Sequence, residues 1–244
     1  MGEMSGTFDI LPDPTALARR VAEWMTSAAL AAKGTFRVSL SGGSTPKTLY
    51  ELLASDEFRS RFPWQLVSWY WGDERFVPYD HAESNYRMAR EAMLAKAPVP
   101  PENIHPVPVD GNPQDAARRY EQALQQAYGA PVLGPARPLF DVTLLGLGTD
   151  GHTASLLPGD SVLEERIRWV AAVSHGRPEI RITLTYPAIE SSRCVAFLVA
   201  GREKAAILRD IRAGSAQLPA ARVRPLGELL WFVDRAAAGD SHST

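Results

Sequence analysis

The segment whose residue types could do the most chemistry is 146–155, Gly-Leu-Gly-Thr-Asp-Gly-His-Thr-Ala-Ser. It follows an apolar run at 142–145, which is typical of a buried strand. Its three glycines permit a tight turn and a close approach of the backbone to a ligand. Asp150 and His152 therefore follow the carboxyl end of a strand, where open α/β sheets bind ligands. Because imidazole titrates near neutrality, we expect His152 to give or take a proton.

A second loop of interest follows the predicted strand at 36–40. It consists of Ser41, Gly42, Gly43, Ser44 and Thr45. Thr45 is predicted to be the N-cap of the next helix and Pro46 its first residue. Free N–H groups and the helix dipole at such a terminus favour an anion, most naturally a phosphate group. A capped helix after a flexible turn is the alternative, and the glycine spacing is not that of a Walker A loop.

Two further strand ends carry charged side chains. Asp73 and Arg75 follow the apolar run at 67–71. Arg75 is a candidate for holding a phosphate or carboxylate through two parallel hydrogen bonds, and Asp73 for positioning it or moving a proton. Lys204 follows the run at 195–200 and is a candidate second cation. A surface ion-pair cluster and a solvated helix start are the alternatives for these two segments.

These loops require a sheet that brings their strand ends together. Short segments rich in β-branched and aromatic residues predict strands at 36–40, 67–71, 104–107, 141–145, 170–173, 181–185, 195–200 and 230–233. Helical periodicity predicts helices at 15–32, 46–53, 86–95, 115–127 and 203–212. Asn112 is the predicted cap of the fourth helix, with Pro113 in its first turn. Strands that alternate with helices predict an α/β fold with a mostly parallel sheet and helices on both faces.

Length and composition favour one α/β domain over residues 1–244, with 129–138 the best candidate for a subdomain boundary. Hydrophobic residues make up 45% and charged residues 22%, and the net charge of −2 predicts no nucleic-acid-binding surface. No apolar run approaches the roughly 18 residues of a membrane span.

Cysteine and histidine usage predicts neither a disulfide nor a metal site. Cys194 is the single cysteine and lies in an apolar run, so we expect a buried, inert thiol. The histidines stand at 81, 105, 152, 175 and 242, without metal-ligand spacing. A reducing, cytoplasmic setting and a monomer or weak oligomer are expected.

Together these motifs resemble the 6-phosphogluconolactonase family. The matching segments are 41–46, 71–75, 84–86, 146–159, 181–185 and 201–204, and their order covers the chain from about residue 10 to 235. The resemblance implies a Rossmann-like α/β fold with a small additional lobe. It also implies hydrolysis of the δ-lactone of 6-phosphogluconate, the second step of the oxidative pentose phosphate pathway, without a metal or an organic cofactor.

The glucosamine-6-phosphate deaminases, which share the implied fold, are the closest alternative. They resemble this chain at the phosphate loop and at Asp-Gly-His, but they carry a glutamate five residues after that histidine. This chain has Leu157 there, which cannot relay a proton. The deaminases also typically have tyrosine where this chain has Arg75. Both differences favour a lactonase.

Two other hypotheses, a dinucleotide-binding loop and a non-catalytic sensor, are less favoured. The spacing of Gly146, Gly148 and Gly151 matches a dinucleotide-binding fingerprint, but Asp150 would then oppose a pyrophosphate. A sugar-phosphate sensor without catalysis would not need Asp150 and His152.

The expected mechanism begins with the substrate phosphate on the loop at 41–45, helped by Arg75 and Lys204. Water then attacks C1 while His152 acts as general acid or base. Asp150 or Asp73 would orient the imidazole, and backbone N–H groups of the glycine loops would stabilise the oxyanion. No serine stands in a nucleophile-elbow sequence, so no covalent intermediate is expected.

Overall fold

The computed structural model describes residues 6–174, 179–214 and 217–239. Within these residues nine strands form two sheets. The strands are β1 (Thr7–Leu11), β2 (Phe36–Leu40), β3 (Val67–Trp71), β4 (Asp73–Arg75), β5 (Phe140–Leu145), β6 (Val170–Val173), β7 (Arg181–Leu184), β8 (Ser192–Val199) and β9 (Glu228–Asp234). The larger sheet is fully parallel in the order β1-β9-β8-β5-β2-β3. The smaller sheet is antiparallel in the order β4-β7-β6.

Helices connect the strands and flank the larger sheet. They are α1 (Pro14–Ala31), α2 (Ser44–Leu53), α3 (Asp56–Arg59), α4 (Asn85–Ala89), α5 (Pro113–Tyr128), α6 (Tyr186–Glu190), α7 (Ala205–Arg212), α8 (Pro219–Arg222) and α9 (Arg235–Ala238). A π-helical turn at Arg90–Leu94 continues α4, and a 3₁₀ turn at Arg202–Lys204 precedes α7. No helix in the described ranges is long and apolar enough to cross a membrane.

The core follows from strands that are buried on both faces. All five residues of β3 are buried, as are the last four of β5 and the six residues of β8 that follow Arg193. Cross-strand aromatic partners reinforce the sheet on one side: Trp231 of β9 stacks on Phe197 of β8 at 3.9 Å between ring centroids and on Phe8 of β1 at 5.5 Å. Stacked aromatic partners of this kind add stability beyond the apolar area that they bury.

The parallel order places the carboxyl ends of the central strands at one edge. From β2 the chain proceeds to β3 on one side, and from β5 it proceeds to β8 on the other. The strand order therefore reverses between β2 and β5, and such a switch point opens a crevice in which α/β sheets bind ligands. The loops after β2, β3, β5 and β8 all start from this edge.

Gly72 links the two sheets and carries the chain from β3 into β4. Its N–H donates to the carbonyl of Leu40 at the end of β2 (2.8 Å), and its carbonyl accepts from the N–H of Leu184 in β7 (2.8 Å). The small antiparallel sheet thereby stands directly beyond the carboxyl edge of the large one. It accounts for the additional lobe that the family resemblance implies.

The predicted pattern of α/β elements is confirmed, and the differences concern short elements. The segment 104–107 is not a strand: only Ile104 bridges to Trp69, because prolines at 106 and 108 have no N–H to extend the ladder. The strands β1 and β4 and the short helices α3, α6, α8 and α9 were not predicted. Cys194 is buried as expected, and burial raises the pKa of its thiol to about 12. The domain boundary at 129–138 stays a prediction, and His175 and His242 lie outside the described residues.

The hydroxyl of Tyr120 in α5 holds the end of β3, and its removal tests this contact. Its buried hydroxyl accepts the N–H of Trp71 (2.9 Å) and donates to the carbonyl of the same residue (3.0 Å). Tyr120→Phe leaves both groups without this partner, so we expect the free energy of unfolding to fall by about 1–3 kcal/mol in denaturant titrations. Tyr79→Phe is the control, because the partly exposed Tyr79 hydroxyl donates only to the carbonyl of Val107 (2.8 Å). An equal loss in both variants would contradict a special role for Tyr120.

Candidate active site

Several segments of the chain meet in a cleft of about 210 Å³ at the carboxyl edge of the large sheet. The loop after β2 contributes Ser41, Gly42 and Gly43; β4 and α4 contribute Asp73, Arg75 and Asn85. The loop after β5 contributes Gly146, Leu147, Gly148, His152 and Ala154, and Arg181 and Lys204 complete the lining. The structure thus brings together side chains from all four loops that the sequence singled out.

Other hollows on the described surface are larger but lack this convergence. One of about 570 Å³ lies beside β6, and one of about 710 Å³ lies at the amino ends of the central strands. Neither is lined by a histidine. Among the described residues no group of three or more His, Cys, Asp or Glu side chains could hold a metal ion.

His152 and Asp150 form a close pair at the mouth of the cleft. The Nδ1 atom of His152 lies 2.5 Å from Oδ1 of Asp150, which also accepts the backbone N–H of His152 (3.1 Å). Burial opposes ionisation of Asp150, but these two contacts outweigh it and hold the pKa of the carboxyl below its usual value. The ionised carboxylate orients the ring, so Nε2 is the nitrogen left for proton transfer.

Two glycines shape the backbone beneath the imidazole. The N–H of Gly148 donates to the carbonyl of His152 (2.8 Å), and the N–H of Gly151 donates to the carbonyl of Gly148 (3.0 Å). Gly151 has a left-handed backbone, with φ of +82°. A Cβ atom on Gly148 would overlap the His152 ring. The loop therefore needs glycine at 148 because the imidazole occupies that space.

Asp73, the other predicted candidate for orienting the imidazole, forms no hydrogen bond with His152 in the described part of the chain. A tight turn over 153–156, with Ala154 in the left-handed region (φ +48°), brings Ser155 beneath the cleft. The hydroxyl of Ser155 donates to Oδ2 of Asp73 at 2.6 Å. Asp73 is 6% exposed, and Arg181 approaches the same oxygen at 4.0 Å. Of the two predicted candidates, Asp150 is therefore the partner of His152.

Arg75 stands over the cleft from the end of β4. One terminal nitrogen of its guanidinium donates to Oδ1 of Asn85 (2.7 Å) and to the carbonyl of Glu83 (3.0 Å). Its Nε atom is buried and has no hydrogen-bond partner in the described part of the chain. Arg181 is its register partner on the antiparallel strand β7. The two arginines are directly opposite each other beside the cleft, and Asp73, 4.0 Å from Arg181, partly offsets their charges.

Glu74 holds the segment around Arg75 in place from below. Its carboxylate is 1% exposed and accepts the backbone N–H groups of Arg75 (2.8 Å), Asn85 (2.7 Å) and Tyr86 (2.7 Å). Ser84 donates its hydroxyl to the same carboxylate (3.1 Å) and accepts the N–H of Arg87 as the N-cap of α4. Burial raises the pKa of the Glu74 carboxyl, against the effect of the three N–H donors.

The loop after β2 differs from the prediction at the start of its helix. Gly43, with φ of +103°, is the N-cap of α2, so Ser44 and Thr45 belong to the first turn and Thr45 is not the cap. No side chain caps this terminus, which leaves its first N–H groups directed at the cleft end of the helix. The hydroxyl of Tyr50 fixes the loop by accepting the N–H of Ser41 (3.0 Å) and donating to its carbonyl (2.8 Å).

Lys204 reaches the cleft from a turn that β9 anchors. The buried carboxylate of Asp234 accepts the N–H of Gly201 (3.1 Å) and that of Ala237 (2.7 Å). Gly201 has φ of +100°, so the chain turns sharply before the 3₁₀ segment that carries Lys204. In the described residues Lys204 forms no ion pair, and its charge is available to an anion in the cleft.

The lining includes two residues that sequence reasoning missed. Arg181 and Asn85 lie in segments that carry the family resemblance, but neither side chain was assigned to the site. The charge of Arg181 at a strand start was the available signal, but its pairing with Arg75 depends on β4, which was not predicted. Ser44, Thr45 and Asp150 were predicted site residues that lie at the border of the cleft instead of lining it.

The fold and site define a class: a Rossmann-like α/β protein with a cleft lined by cationic side chains and a histidine–carboxylate pair at its switch point. The family model of glucosamine-6-phosphate isomerases/6-phosphogluconolactonase matches residues 12–231, and the chain belongs to this family. A 6-phosphogluconolactonase of Nostoc sp. is 42% identical, over 97% of this chain and 99% of its own length. The solved 6-phosphogluconolactonase of Thermotoga maritima is 30% identical, with a TM-score of 0.79 over 94% of this chain and all of its own.

The deaminase branch shares the fold at lower identity. A solved monomeric glucosamine-6-phosphate deaminase aligns with a TM-score of 0.80 over 96% of this chain and 99% of its own, at 20% identity. Proteins that carry these two names thus share one fold, so side chains in the cleft must distinguish them.

Gly148→Ala and Gly146→Ala form a matched pair that tests the shape of the glycine loop. A Cβ atom at Gly146 meets only the Ser41 hydroxyl at 3.7 Å, an ordinary contact, whereas one at Gly148 overlaps the imidazole. We expect Gly148→Ala to displace His152 from Asp150 and Gly146→Ala to leave the pair intact. Crystal structures of both variants measure the Nδ1–Oδ1 distance. An unchanged distance in Gly148→Ala would show that the loop does not depend on this glycine.

Proposed function

We propose that this chain hydrolyses 6-phospho-D-glucono-1,5-lactone to 6-phospho-D-gluconate, the second step of the oxidative pentose phosphate pathway. One observation carries the assignment: cationic side chains that can bind an anion lie in the same cleft as the His152–Asp150 pair. A phosphorylated lactone presents an anion and an ester at opposite ends, which matches these two features. The family membership and the relatives named 6-phosphogluconolactonase support the same activity.

The phosphate end of the substrate is assigned to the loop at 41–45 with Arg75 and Lys204. Backbone N–H groups at the start of α2 and two cationic side chains surround this part of the cleft. Arg181 is a further cation on the opposite strand. Binding energy at the phosphate then serves to hold the ester in reach of His152, since remote contacts orient the reacting centre.

The reacting end is assigned to His152. Water adds to C1, and the bond between C1 and the ring oxygen then breaks. His152 acts through Nε2, either taking a proton from the water or delivering one to the departing ring oxygen. Asp150 keeps Nδ1 engaged and stabilises the ring when it is charged. Backbone N–H groups of the glycine loops are the candidates for stabilising the oxyanion.

A deaminase activity is the second candidate, and the residue type at position 157 argues against it. The resemblance to that branch implies a glutamate five residues after the histidine as part of a proton relay. Leu157 occupies this position and is 7% exposed. An alkyl side chain there can neither give nor take a proton, so ring opening of an amino sugar phosphate lacks its relay.

The cellular setting proposed here is cytoplasmic, with a monomer or weak oligomer and no nucleic-acid partner. The net charge of −2 and the single buried Cys194 support this proposal. The substrate is expected to be a small sugar-phosphate lactone, without a metal or organic cofactor.

The first experiment compares wild type with His152→Asn on freshly generated 6-phosphoglucono-δ-lactone, with EDTA present. We expect chelator-insensitive turnover by wild type and a loss of about 10²–10⁴ in kcat for the variant, the usual contribution of a positioned acid or base. Near-normal turnover by His152→Asn would remove His152 from the mechanism. A wild-type rate no higher than spontaneous hydrolysis would reject the lactonase assignment and direct the test to amino sugar phosphates.

The variant Arg75→Ala tests whether Arg75 binds the substrate phosphate or acts at the reacting ester. If Arg75 binds the phosphate, its removal mainly raises KM, by about 10- to 100-fold for a lost contact between charged groups. Steady-state kinetics at lactone concentrations that bracket the new KM measure this. Arg193→Ala is the control, because its ion pair with Asp141 lies far from the cleft at the other edge of the sheet. A fall in kcat at unchanged KM would place Arg75 at the reacting centre instead.

A further inference from the structure

Asn85 occupies a position where three parts of the cleft meet. It is 3% exposed and begins α4, directly after the capping residue Ser84. Its Oδ1 atom accepts from Arg75 (2.7 Å), and its Nδ2 atom donates to the backbone carbonyl of Asp73 (2.9 Å). The same Nδ2 lies 3.4 Å from the carboxylate of Asp73. One side chain therefore contacts both charged residues at the ends of β4.

The chemistry of these neighbours requires an amide. A guanidinium only donates hydrogen bonds and a carbonyl only accepts them, so a side chain between the two must offer an acceptor to one and a donor to the other. A carboxylate would lack the donor, and an alkyl side chain would lack both. The backbone of Asn85 is held as well, because its N–H donates to the buried carboxylate of Glu74 (2.7 Å).

The phosphate loop is built around the same amide. A Cβ atom at Gly42 would overlap the Asn85 side chain. The absence of a side chain at 42 lets the loop after β2 close onto α4, and Asn85 then fills the gap between the loop and Arg75. The loop after β2 and the Arg75 guanidinium thus both pack against the Asn85 side chain.

The amide also separates two opposite charges. Asp73 and Arg75 are two residues apart on β4 and so share a face of that strand. Within the described residues they form no ion pair, and Asp73 instead receives the hydroxyl of Ser155 and approaches Arg181. An arginine neutralised by a neighbouring acid would bind a phosphate more weakly.

We propose that Asn85 is a positioning residue of this cleft, whose amide holds the Arg75 guanidinium toward the substrate phosphate and away from the Asp73 carboxylate. It acts through Arg75 and does not take part in proton transfer. The inference rests on the proposed function, since it assumes that the anion in the cleft is the phosphate of the lactone.

The test measures KM and kcat for the lactone in Asn85→Ala and Asn85→Asp, together with binding of 6-phosphogluconate by calorimetry. We expect Asn85→Ala to raise KM by about 10- to 100-fold, with a much smaller change in kcat. Asn85→Asp keeps the size but adds a carboxylate that pairs with Arg75, so KM should rise at least as far. This second variant carries the test should Asn85→Ala fail to fold.

A double-mutant cycle and a stability control complete the design. If Asn85 acts through Arg75, adding Asn85→Ala to Arg75→Ala raises KM no further than Arg75→Ala alone. Asn112→Ala removes the cap of α5, far from the cleft, and should lower the Tm while leaving KM unchanged.

The possible results separate this inference from the proposed function. Wild-type activity with an unchanged KM in both Asn85 variants, or fully additive effects in the cycle, overturns the positioning role alone. A wild type that neither hydrolyses the lactone nor binds 6-phosphogluconate overturns the proposed function and this inference with it. A raised KM, weaker binding of 6-phosphogluconate and a non-additive cycle support the positioning role.

Discussion

The cleft depends on one buried carboxylate, that of Glu74. Ionised groups lose their hydration when buried, and this cost is met only if the surrounding donors replace the lost water. Here three backbone N–H groups and a hydroxyl surround Glu74 and tie β4 to the start of α4. Each of these donors would in turn be unsatisfied without the carboxylate. The mutual requirement fixes the segment that presents Asp73, Arg75 and Asn85 to the cleft.

The space that two glycines leave for neighbouring side chains is the second constraint on the site. Gly148 leaves room for the imidazole and Gly42 leaves room for the Asn85 amide. In both cases the polar group lies where a Cβ atom would otherwise be, so the backbone and the functional side chain are in direct contact. Their glycine identity thus follows from steric exclusion by a neighbour, and not from an unusual φ, since neither residue is in the left-handed region.

The large-sheet architecture could be predicted from sequence because its signals are local. Parallel strands buried on both faces give continuous apolar runs, as in 67–71, and strands that alternate with helices leave few arrangements. The carboxyl ends of neighbouring parallel strands meet at one edge of a sheet, so the loops that carry Ser41, Arg75, His152 and Lys204 could be grouped from the sequence. The N-cap of α5 at Asn112 was likewise a local signal and is confirmed.

The remaining features depend on contacts between distant segments. The strand β4 has three residues, all of them charged, and exists only because β7 pairs with it. Without β4 neither the Arg75–Arg181 pair nor the contact between Asp73 and Ser155 could be inferred, since 82 residues separate the latter two. The choice between Asp150 and Asp73 as partner of His152 depended on this same geometry. The start of α2 was misplaced because Gly43 supplies the cap by its backbone alone, while Thr45 is the better cap by side-chain type.

The distribution of hydrogen bonds within the cleft fits the chemistry proposed for it. At the anion end, Arg75, Asn85 and the loop at Ser41 are each held by several contacts from buried partners. At the reacting end, His152 has one carboxylate partner, and Asp150 is itself 45% exposed on its side chain. A rigid phosphate anchor complements the acid–base group, because it sets the orientation of the ester before any proton moves. A less constrained imidazole also has freedom to act on both the attacking water and the departing ring oxygen.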